Sequence, residues 1–179
     1  MRRNKKEPVE GRLYHWYATP LGRMLMESDG ESLTCLKFWP EEQAPRPGED
    51  GKGSSPVFEQ TESWLNRFFA GQDPGPLPPL KVEGTEFQRK LWLLLAEIPY
   101  GRLTTYGELA RCLEARTGRH TAARAVGINV GRNPLPLLLP CHRVVGAKGA
   151  LTGFAGGLWR KEKLLALERA SFDEMYRFE

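Results

Sequence analysis

A proline-rich stretch near the middle of the chain places the strongest constraint on the fold. Within DPGPLPPLKVEG, four of the six residues at 74–79 are proline. Proline lacks a backbone N–H and clashes with the preceding helical turn, so neither a helix nor a central strand can run through this stretch. We therefore predict a linker that separates two domains, at residues 1–80 and 81–179, in a chain long enough to bury real cores.

The first half has the pattern of a small antiparallel sheet followed by one helix. The segments RLYHWYATP, GRMLMESDG and LTCLKFWP have roughly alternating apolar residues and are separated by turn signals. Residues 41–56, rich in Gly, Pro and Ser, predict a mobile loop. In VFEQTESWLNRFFAG, apolar residues then recur at helical spacing. We expect a three-stranded antiparallel sheet with one helix, within an α+β protein.

The second half is predicted to be mainly helical. The capping box Thr85-x-x-Gln88 opens a helix, and the box Thr105-x-x-Glu108 opens a shorter one that ends near Leu113. A third helix is expected at residues 121–130, after a turn. Two short helices joined by a turn are typical of a helix-turn-helix, although many compact helical domains contain such a pair without binding DNA.

The third predicted helix has one face that is almost bare. Ala123, Arg124, Gly127 and Gly131 share this face, so one arginine is its main side chain. Glycine costs about 1 kcal/mol in a helix interior, so the face needs a reason. Close helix packing is one explanation. Close approach to a shallow DNA minor groove, with Arg124 projecting into it, is the other.

Charge is distributed unevenly along the chain. Residues 1–83 contain 11 Lys and Arg against 13 Asp and Glu, a balance of −2, whereas residues 84–179 contain 15 against 9, a balance of +6. A regional excess of basic residues suits a polyanion such as nucleic acid. The sequence contains no run of 18 apolar residues, so no membrane span is predicted. The three cysteines favour a reducing, intracellular setting, and their spacing with the three histidines does not fit a structural zinc site.

The segment PCHRVV places Cys141 directly before His142. A nucleophilic cysteine needs a base or cation that lowers its pKa from about 8.5, but neighbours on an extended strand point to opposite faces. Glu168, in the helix WRKEKLLALE, is the best candidate to orient the base, although its spacing alone favours a surface position beside Lys161. The run LPLLLP is expected to form a strand that leads to Cys141. From these residues alone, a catalytic thiol and a core cysteine both remain open.

The order of the motifs carries a resemblance. FQRKLW, IPYGRLTTYGELA, AARAVG, an Asn-Pro turn, PCHRVV, GFAGGL and LLALE follow one another as in the O6-alkylguanine-DNA alkyltransferases, also called methylated-DNA–protein-cysteine methyltransferases. The first half is similar, more weakly, to the family's N-terminal domain. The resemblance implies a ribonuclease H-like N-terminal domain and a mainly helical, winged helix-turn-helix-like C-terminal domain. It also implies a monomer in the cytoplasm, or in the nucleus of a eukaryote, that needs no cofactor or metal.

The resemblance further implies DNA repair by direct reversal of damage. Such a protein binds double-stranded DNA in the minor groove, flips O6-alkylguanine out of the stack and transfers the alkyl group irreversibly to Cys141, once per molecule. O4-alkylthymine is a second candidate substrate. His142 would act as the base through a water, and Glu168 would complete the relay. Tyr106 would assist extrusion and hydrogen-bond N3 of the base, and Asn133 would hold the turn under the site.

The remaining implied residues form two sets. Arg124 would fill the space left by the flipped base, and the other implied DNA contacts are Thr105, Tyr106, Ala122, Ala123, Gly127, Gly131 and Arg132. The implied base pocket consists of Val130, Val144, Phe154, Ala155 and Gly156, where Phe154 and Ala155 stand in place of the Tyr and Ser of many relatives. The segment at residues 112–121 predicts a turn longer than is usual in the family, which bears on the fit to the groove.

Three alternative functions are weighed against this one. A non-enzymatic damage sensor of the same fold, of the alkyltransferase-like kind, carries Trp in place of the motif's cysteine, which Cys141 opposes. A hydrolase with a Cys-His-Glu triad would leave the helix-turn-helix unexplained. A helix-turn-helix regulator without chemistry would leave PCHRVV unexplained.

Overall fold

The computed structural model describes residues 12–40, 51–170 and 175–178. Its contacts divide the chain into two compact units, Met1–Lys81 and Val82–Glu179. The end of the proline-rich stretch runs beside the start of a strand in the first unit. There, Leu33 N donates to Pro79 O at 2.9 Å and Lys81 N donates to Leu33 O at 2.9 Å. The linker is therefore hydrogen-bonded to the first unit at its end.

The first unit contains the predicted antiparallel strands and a fourth short one. The strands are β1 (Leu13–Thr19), β2 (Gly22–Ser28), β3 (Leu33–Phe38) and β4 (Gly51–Lys52), in the order β3-β2-β1-β4. The three longer strands confirm the prediction, whereas β4 was not predicted, because two residues are too short for an alternating pattern. The predicted loop 41–56 therefore contains a strand at its end, and its residues 41–50 lie outside the described residues.

One helix packs on this sheet. Helix α1 (Pro56–Phe69) begins with proline in its first turn, where the missing N–H has no intrahelical partner to lose. Its buried side chains are Val57, Phe58, Thr61, Trp64, Leu65 and Phe68. The Phe58 ring stacks on the ring of His15 in β1, with 5.6 Å between the centroids. The helical spacing in the sequence thus correctly predicted the face that turns to the sheet.

In the described part of the second unit, four α-helices accompany a small parallel sheet. The helices are α2 (Glu86–Leu95), α3 (Tyr106–Thr117), α4 (Ala123–Val130) and α5 (Leu158–Leu167), and β5 (Thr104–Thr105) pairs with β6 (Val144–Val145). The capping box of α2 is formed, since Gln88 N donates to Thr85 Oγ1 and Thr85 N donates to Gln88 Oε1. At α3, Thr105 Oγ1 accepts from Glu108 N at 3.0 Å, while the Glu108 carboxylate binds Arg111.

The connection between α3 and α4 differs from the prediction. Helix α3 continues one turn beyond Leu113 and ends at Gly118, whose φ of 65° is in the left-handed region. Residues 112–117 therefore lengthen the helix, and the turn itself covers only residues 118–122. The cause is that residues 114–117 contain neither glycine nor proline, so that Gly118 is the first residue after Leu113 that can end the helix. The prediction of a long turn at 112–121 was wrong.

The apolar run before the thiol is not a strand. Residues 134–139 form successive turns in which Leu135, Leu137, Leu138 and Leu139 are buried. Pro134 and Pro136 cannot donate to a ladder, and Leu137 has a φ of 76°. The strand β6 instead follows the thiol. Beside it, Leu103, Val145 and Leu165 form a small core against which Met175 packs, and Tyr176 N donates to Leu103 O at 2.6 Å.

Candidate active site

The backbone bends at the cysteine. Residues Cys141–Arg143 form a single 3-10 turn, in which Arg143 N donates to Pro140 O at 3.0 Å, and β6 begins directly afterwards. The premise of an extended strand at Cys141 and His142 was therefore wrong. The Cys141 side chain is 6% exposed and that of His142 is 0% exposed. Both residues lie inside the second unit, under its surface.

Glu168 is not a surface residue. It is the C-cap of α5, and its carboxylate Oε1 lies 2.7 Å from Nε2 of His142, with both side chains fully buried. The spacing of the helix had favoured a surface glutamate, and that expectation is overturned. Glu168 is buried because the turn at 141–143 packs against the end of α5. This turn is distant from α5 in the sequence, so the spacing of residues within the helix does not reveal the contact.

Arg143 completes this cluster and was missed by the sequence analysis. Its Nε donates to Glu168 Oε2 at 2.8 Å and its Nη2 to Glu168 Oε1 at 3.0 Å. A backbone N–H, from Gly101, reaches Oε2 at 3.0 Å. Within the described residues, Glu168 thus accepts four hydrogen bonds, counting that of His142. A signal was present in PCHRVV, because an arginine flanked by buried apolar residues needs a buried anion.

The charges of this cluster follow from burial and contact. Burial would raise the pKa of Glu168, but the charges and hydrogen bonds of His142 and Arg143 outweigh it and hold the pKa at about 2. Burial lowers the pKa of His142, against the opposing effect of Glu168. At neutral pH the site therefore contains a carboxylate and a neutral imidazole. With Glu168 ionised, the His142 proton lies on Nε2 and points to the carboxylate.

The thiol starts from its protonated form. Burial raises the pKa of Cys141 to about 11, while a hydrogen bond with Asn133 and the charge of Lys161 act in the opposite direction. Asn133 also spans the preceding turns, since its Nδ2 donates to Leu139 O at 2.6 Å and its Oδ1 accepts from Leu135 N at 3.0 Å. A nucleophilic reaction at Cys141 therefore needs a base that removes the proton.

A buried lysine lies on the other side of the thiol. The Lys161 side chain is 0% exposed, and its Nζ donates to Val144 O at 2.6 Å and to Thr152 O at 2.8 Å. Burial lowers the pKa of Lys161 to about 8, opposed by Cys141. In the sequence analysis, Lys161 was taken as a sign that its face of α5, which also carries Glu168, lies at the surface. It was instead a signal, because a lysine among apolar residues of a helix marks a buried cation with partners.

Five of the predicted DNA-binding and catalytic residues line one groove of the second unit. The groove has a volume of about 560 Å³. Its predicted lining residues are Thr105, Tyr106, Ala123, Arg124 and Gly127, and its unpredicted ones are Gly107, Ile128, Ala147, Thr152 and Gly153. The Tyr106 hydroxyl donates to Thr152 O at 3.2 Å, and the Tyr106 ring centre lies 6.0 Å from Lys161 Nζ. Tyr106 and Lys161 thus connect this groove with the thiol.

The other predicted residues lie around the groove. Ala122, Gly131 and Arg132 are exposed at the two ends of α4. Val130 and Val144 are buried, 3% and 0% exposed, and they do not line the groove. Phe154 and Gly156 are half-buried and Ala155 is exposed, in the segment that directly follows the groove residues Thr152 and Gly153. The predicted base pocket stays a prediction.

The face of α4 is less bare than predicted. Ile128 lies one turn after Arg124 and is 51% exposed, so the face carries an apolar side chain as well as an arginine. The glycine between them is not required by packing within the unit. A Cβ placed on Gly127 would lie 3.8 Å from Cδ1 of Tyr106, an ordinary van der Waals contact. Of the two explanations for a bare face, close packing of helices is therefore not the one that requires Gly127.

In the part of the chain that the structure describes, no three His, Cys, Asp or Glu side chains are grouped as metal ligands would be. Among the same residues, no helix has the length and apolar character to cross a membrane.

Known proteins resemble this chain over most of its length. Residues 86–170 match the family model of the DNA-binding domain of 6-O-methylguanine DNA methyltransferase. The methylated-DNA–protein-cysteine methyltransferase of Haemophilus influenzae is 44% identical over 160 residues, which cover 89% of this chain and 87% of that one. The enzyme of the same name from Methanosarcina acetivorans is 39% identical, with coverage of 87% and 97%.

Solved structures agree with these relatives. Mycobacterium tuberculosis OGT in complex with DNA has a TM-score of 0.73 and 38% identity, covering 87% of this chain and 92% of its own. An O6-methylguanine DNA methyltransferase from Methanococcus jannaschii has a TM-score of 0.61 and 29% identity, with coverage of 92% and 96%. With Cys141, His142 and Glu168 together in the matched region, this chain belongs to the methylated-DNA–protein-cysteine methyltransferase family.

Proposed function

We propose that this protein is a methylated-DNA–protein-cysteine methyltransferase that removes the alkyl group of O6-alkylguanine from duplex DNA and keeps it on Cys141. The observation that carries the proposal is the fully buried hydrogen bond between His142 and Glu168, next in the chain to the buried thiol of Cys141 and in the same unit as a groove that Arg124 lines. The relatives that share this region have the same name and, in one solved structure, DNA as a partner.

DNA binding would use α3, the turn at 118–122 and α4 as a helix-turn-helix. The face of α4 with Ala123, Gly127 and Gly131 allows a close approach to the minor groove, because its side chains are short. The base to be repaired would leave the stack, and Arg124 with the exposed Ile128 would occupy the space that it vacates. Ile128 adds an apolar contact that base pairs on either side of the gap can stack against.

The chemical step begins with the Cys141 proton. His142 would take this proton through a water at Nδ1, while Nε2–H remains bonded to Glu168. The nearby charge of Lys161 stabilises the thiolate that forms. The thiolate sulfur then bonds to the alkyl carbon as the bond from that carbon to O6 breaks, and the electron pair enters the guanine ring. A proton passes from the Tyr106 hydroxyl to N3 and neutralises the base, and the proton that His142 took from the thiol then passes through water to Tyr106, so that both side chains regain their starting forms.

The product explains a single turnover. A thioether at Cys141 is a stable product, because its alkyl carbon could be released only by expelling a thiolate, which is a poor leaving group for attack by water or a neutral side chain. Each molecule would therefore act once. O4-alkylthymine presents the same linkage, an alkyl group on an oxygen beside a ring nitrogen, and is proposed as a second substrate.

Further roles are proposed for the residues near the groove. Backbone phosphates would be contacted by Thr105, Ala122 and Arg132, in addition to the groove contacts of α4. Val130 and Val144 would support the flipped base from below, and the loop with Phe154, Ala155 and Gly156 would close over it on DNA binding. Asn133 would hold the turn under the site through its bonds to Leu135 and Leu139.

The two units are also assigned domain types in this proposal. Residues 1–80 would form a ribonuclease H-like domain, and residues 81–179 a DNA-binding and alkyl-acceptor domain of winged helix-turn-helix type, with the β5–β6 pair beside α3. The protein would act as a monomer inside the cell. The sheet order β3-β2-β1-β4 supports the proposed type of the first domain, and the α3–α4 pair supports that of the second.

The test is an intact-mass measurement. After incubation with duplex DNA that contains O6-methylguanine, the protein is expected to gain one methyl group, located by peptide mapping on the peptide with Cys141. The variant Cys141→Ala is expected to bind the DNA and gain nothing, whereas Cys35→Ala and Cys112→Ala serve as matched controls that still react. Transfer of more than one methyl group per molecule, or a methyl group on Cys35 or Cys112, would refute the proposed function.

A further inference from the structure

The charge of Glu168 is shared between two side chains, and the histidine is the weaker partner. Arg143 donates two N–H groups to the carboxylate, at 2.8 Å and 3.0 Å, whereas His142 contributes one hydrogen bond. A guanidinium that binds a carboxylate through two N–H groups is a strong partner and stays charged at every relevant pH. The ion pair of Arg143 and Glu168 is therefore neutral overall and does not need a positive charge on His142.

Arg143 is held in this position by a separate part of the unit. Its Nη1 donates to Ile98 O at 2.7 Å, and its guanidinium lies 5.5 Å from the centre of the Tyr100 ring. The neighbouring Gly101 N–H binds Glu168 Oε2. All three contacts come from the connection between α2 and β5. This connection therefore sets the geometry of the ion pair independently of His142.

The groups around His142 decide its charge. Glu168 at the end of α5 is negative, whereas Arg143 in the same turn and Lys161 on α5 are positive, and Cys141 is the neighbouring thiol. Burial lowers the pKa of His142, and the charges of Arg143 and Lys161 lower it further, against Glu168. Without Arg143, the buried carboxylate would favour an imidazolium as its partner. An imidazolium has a proton on both nitrogens and cannot act as a base.

We propose that Arg143 is a positioning residue that holds Glu168 as an ionised acceptor and thereby keeps His142 neutral, so that Nδ1 can take the proton of Cys141. The inference rests on the proposed roles of Cys141 and His142 in alkyl transfer. It gives the arginine of PCHRVV a function in the proton relay, although the residue lies in the basic region that the sequence associates with DNA. Arg143 would extend the activity of the protein to lower pH.

The test compares two arginine–glutamate pairs of the same unit. Arg116 also binds Glu97 through two N–H groups, Nη1 and Nη2, at 2.6 Å and 2.7 Å, but at the surface. Single-turnover methyl transfer from saturating duplex DNA with O6-methylguanine is measured from about pH 5 to about pH 9 for Arg143→Met and Arg116→Met. In Arg143→Met, the rate at neutral pH is expected to fall at least about tenfold. Its acid limb is expected to move to higher pH by about one unit or more. Arg116→Met is expected to match the parent protein.

Imidazole nitrogen NMR without DNA reads the charge of His142 directly. The parent protein is expected to show a neutral ring with its proton on Nε2 at neutral pH, whereas Arg143→Met is expected to show an imidazolium. Arg143→Lys retains the positive charge but not the two-bond geometry. It is therefore expected to recover the neutral ring in part, and with it part of the lost rate.

Several outcomes would overturn the proposal. One is a folded Arg143→Met whose rate falls equally at every pH while the His142 signal is unchanged, because that result assigns Arg143 a structural role alone. If Arg143→Met does not fold, the double variant Arg143→Met with Glu168→Gln removes both charges and is expected to retain a neutral His142. An imidazolium in the double variant also overturns the proposal. Failure of the proposed function looks different, since the parent protein itself would then transfer no methyl group while the NMR comparison would still stand.

Discussion

Two histidine–glutamate pairs of this protein have nearly the same length and very different surroundings. In the first unit, His15 Nε2 lies 2.6 Å from Glu62 Oε1, and the two side chains are 31% and 34% exposed. In the second unit, the corresponding atoms of His142 and Glu168 are 2.7 Å apart, and both side chains are fully buried. The hydrogen-bond length therefore does not distinguish the half-exposed pair from the fully buried one, although water reaches only the first.

The neighbours of each pair explain the difference. Water and salt screen an exposed pair, so that it contributes about 0–1 kcal/mol to stability. A buried pair has lost its hydration and needs further partners to offset that cost, which for Glu168 are Arg143 and the Gly101 N–H. These extra partners set the protonation states at the site. The exposed pair packs against an aromatic ring and stabilises the local contact between β1 and α1.

The largest expected effect concerns stability. Glu168→Gln removes the buried anion and leaves Arg143 without a charged partner, so the second unit is expected to lose about 3–5 kcal/mol of unfolding free energy. Glu62→Gln is expected to cost the first unit about 1 kcal/mol or less. Native-state hydrogen exchange, read separately at the amides of α5 and α1, measures both. Equal losses in the two units would break the comparison between the pairs.

The next effect concerns the rate of methyl transfer. His142→Ala removes the proposed base and is expected to slow single-turnover transfer to Cys141 by about a hundredfold or more. His15→Ala is the matched control and is expected to react at the rate of the parent protein. Rapid-quench measurement with duplex DNA containing O6-methylguanine gives both rates. A slow His15→Ala variant with normal DNA binding would show that the exposed pair also takes part.

The smallest effect concerns the dependence of stability on pH. Because burial lowers the pKa of His142 below its ordinary 6.5 in the folded protein, the unfolded ring binds a proton first, and stability is expected to fall as the pH drops below about 6.5. Glu168, with a folded pKa of about 2 against 4.5, adds a further loss as the pH falls from about 4.5 towards 2. Thermal unfolding followed against pH measures both windows.

Variants separate these two windows. His142→Ala is expected to remove the loss that begins near pH 6.5 and to leave the loss at lower pH. His15→Ala is expected to retain both. If the loss of stability near pH 6.5 instead disappears in His15→Ala and persists in His142→Ala, the acid sensitivity belongs to the first unit, and the prediction for His142 is wrong.

Sequence reasoning was most successful where the determining contacts are local. The capping box of Thr85 and Gln88, the apolar face of α1 and the three long strands depend on residues a few positions apart, and all three were predicted. The motif order led to Cys141 and His142 for a different reason, since it rested on resemblance to a family. The overlooked last turn of α3 was a local signal that was misread, because Gly118, which ends the helix in the left-handed region, can be read from the sequence.

The failures involve partners that are distant in sequence. Arg143 and Lys161 read as ordinary basic residues, because their burial depends on Glu168 and on the carbonyls of Val144 and Thr152. The strand before Cys141 was wrong because the prolines and the left-handed Leu137 were read as apolar residues only. Charged residues inside apolar segments were the one signal in the sequence that pointed to both overlooked partners.

The segment at residues 175–178 has a practical consequence for protein engineering. Met175 and Tyr176 lie beside Leu103, which directly precedes β5, and β5 pairs with the strand that follows Cys141. Shortening one side chain of this segment, as in Met175→Ala, is therefore expected to loosen the sheet next to the turn at Cys141–Arg143 without changing any residue that lines the groove.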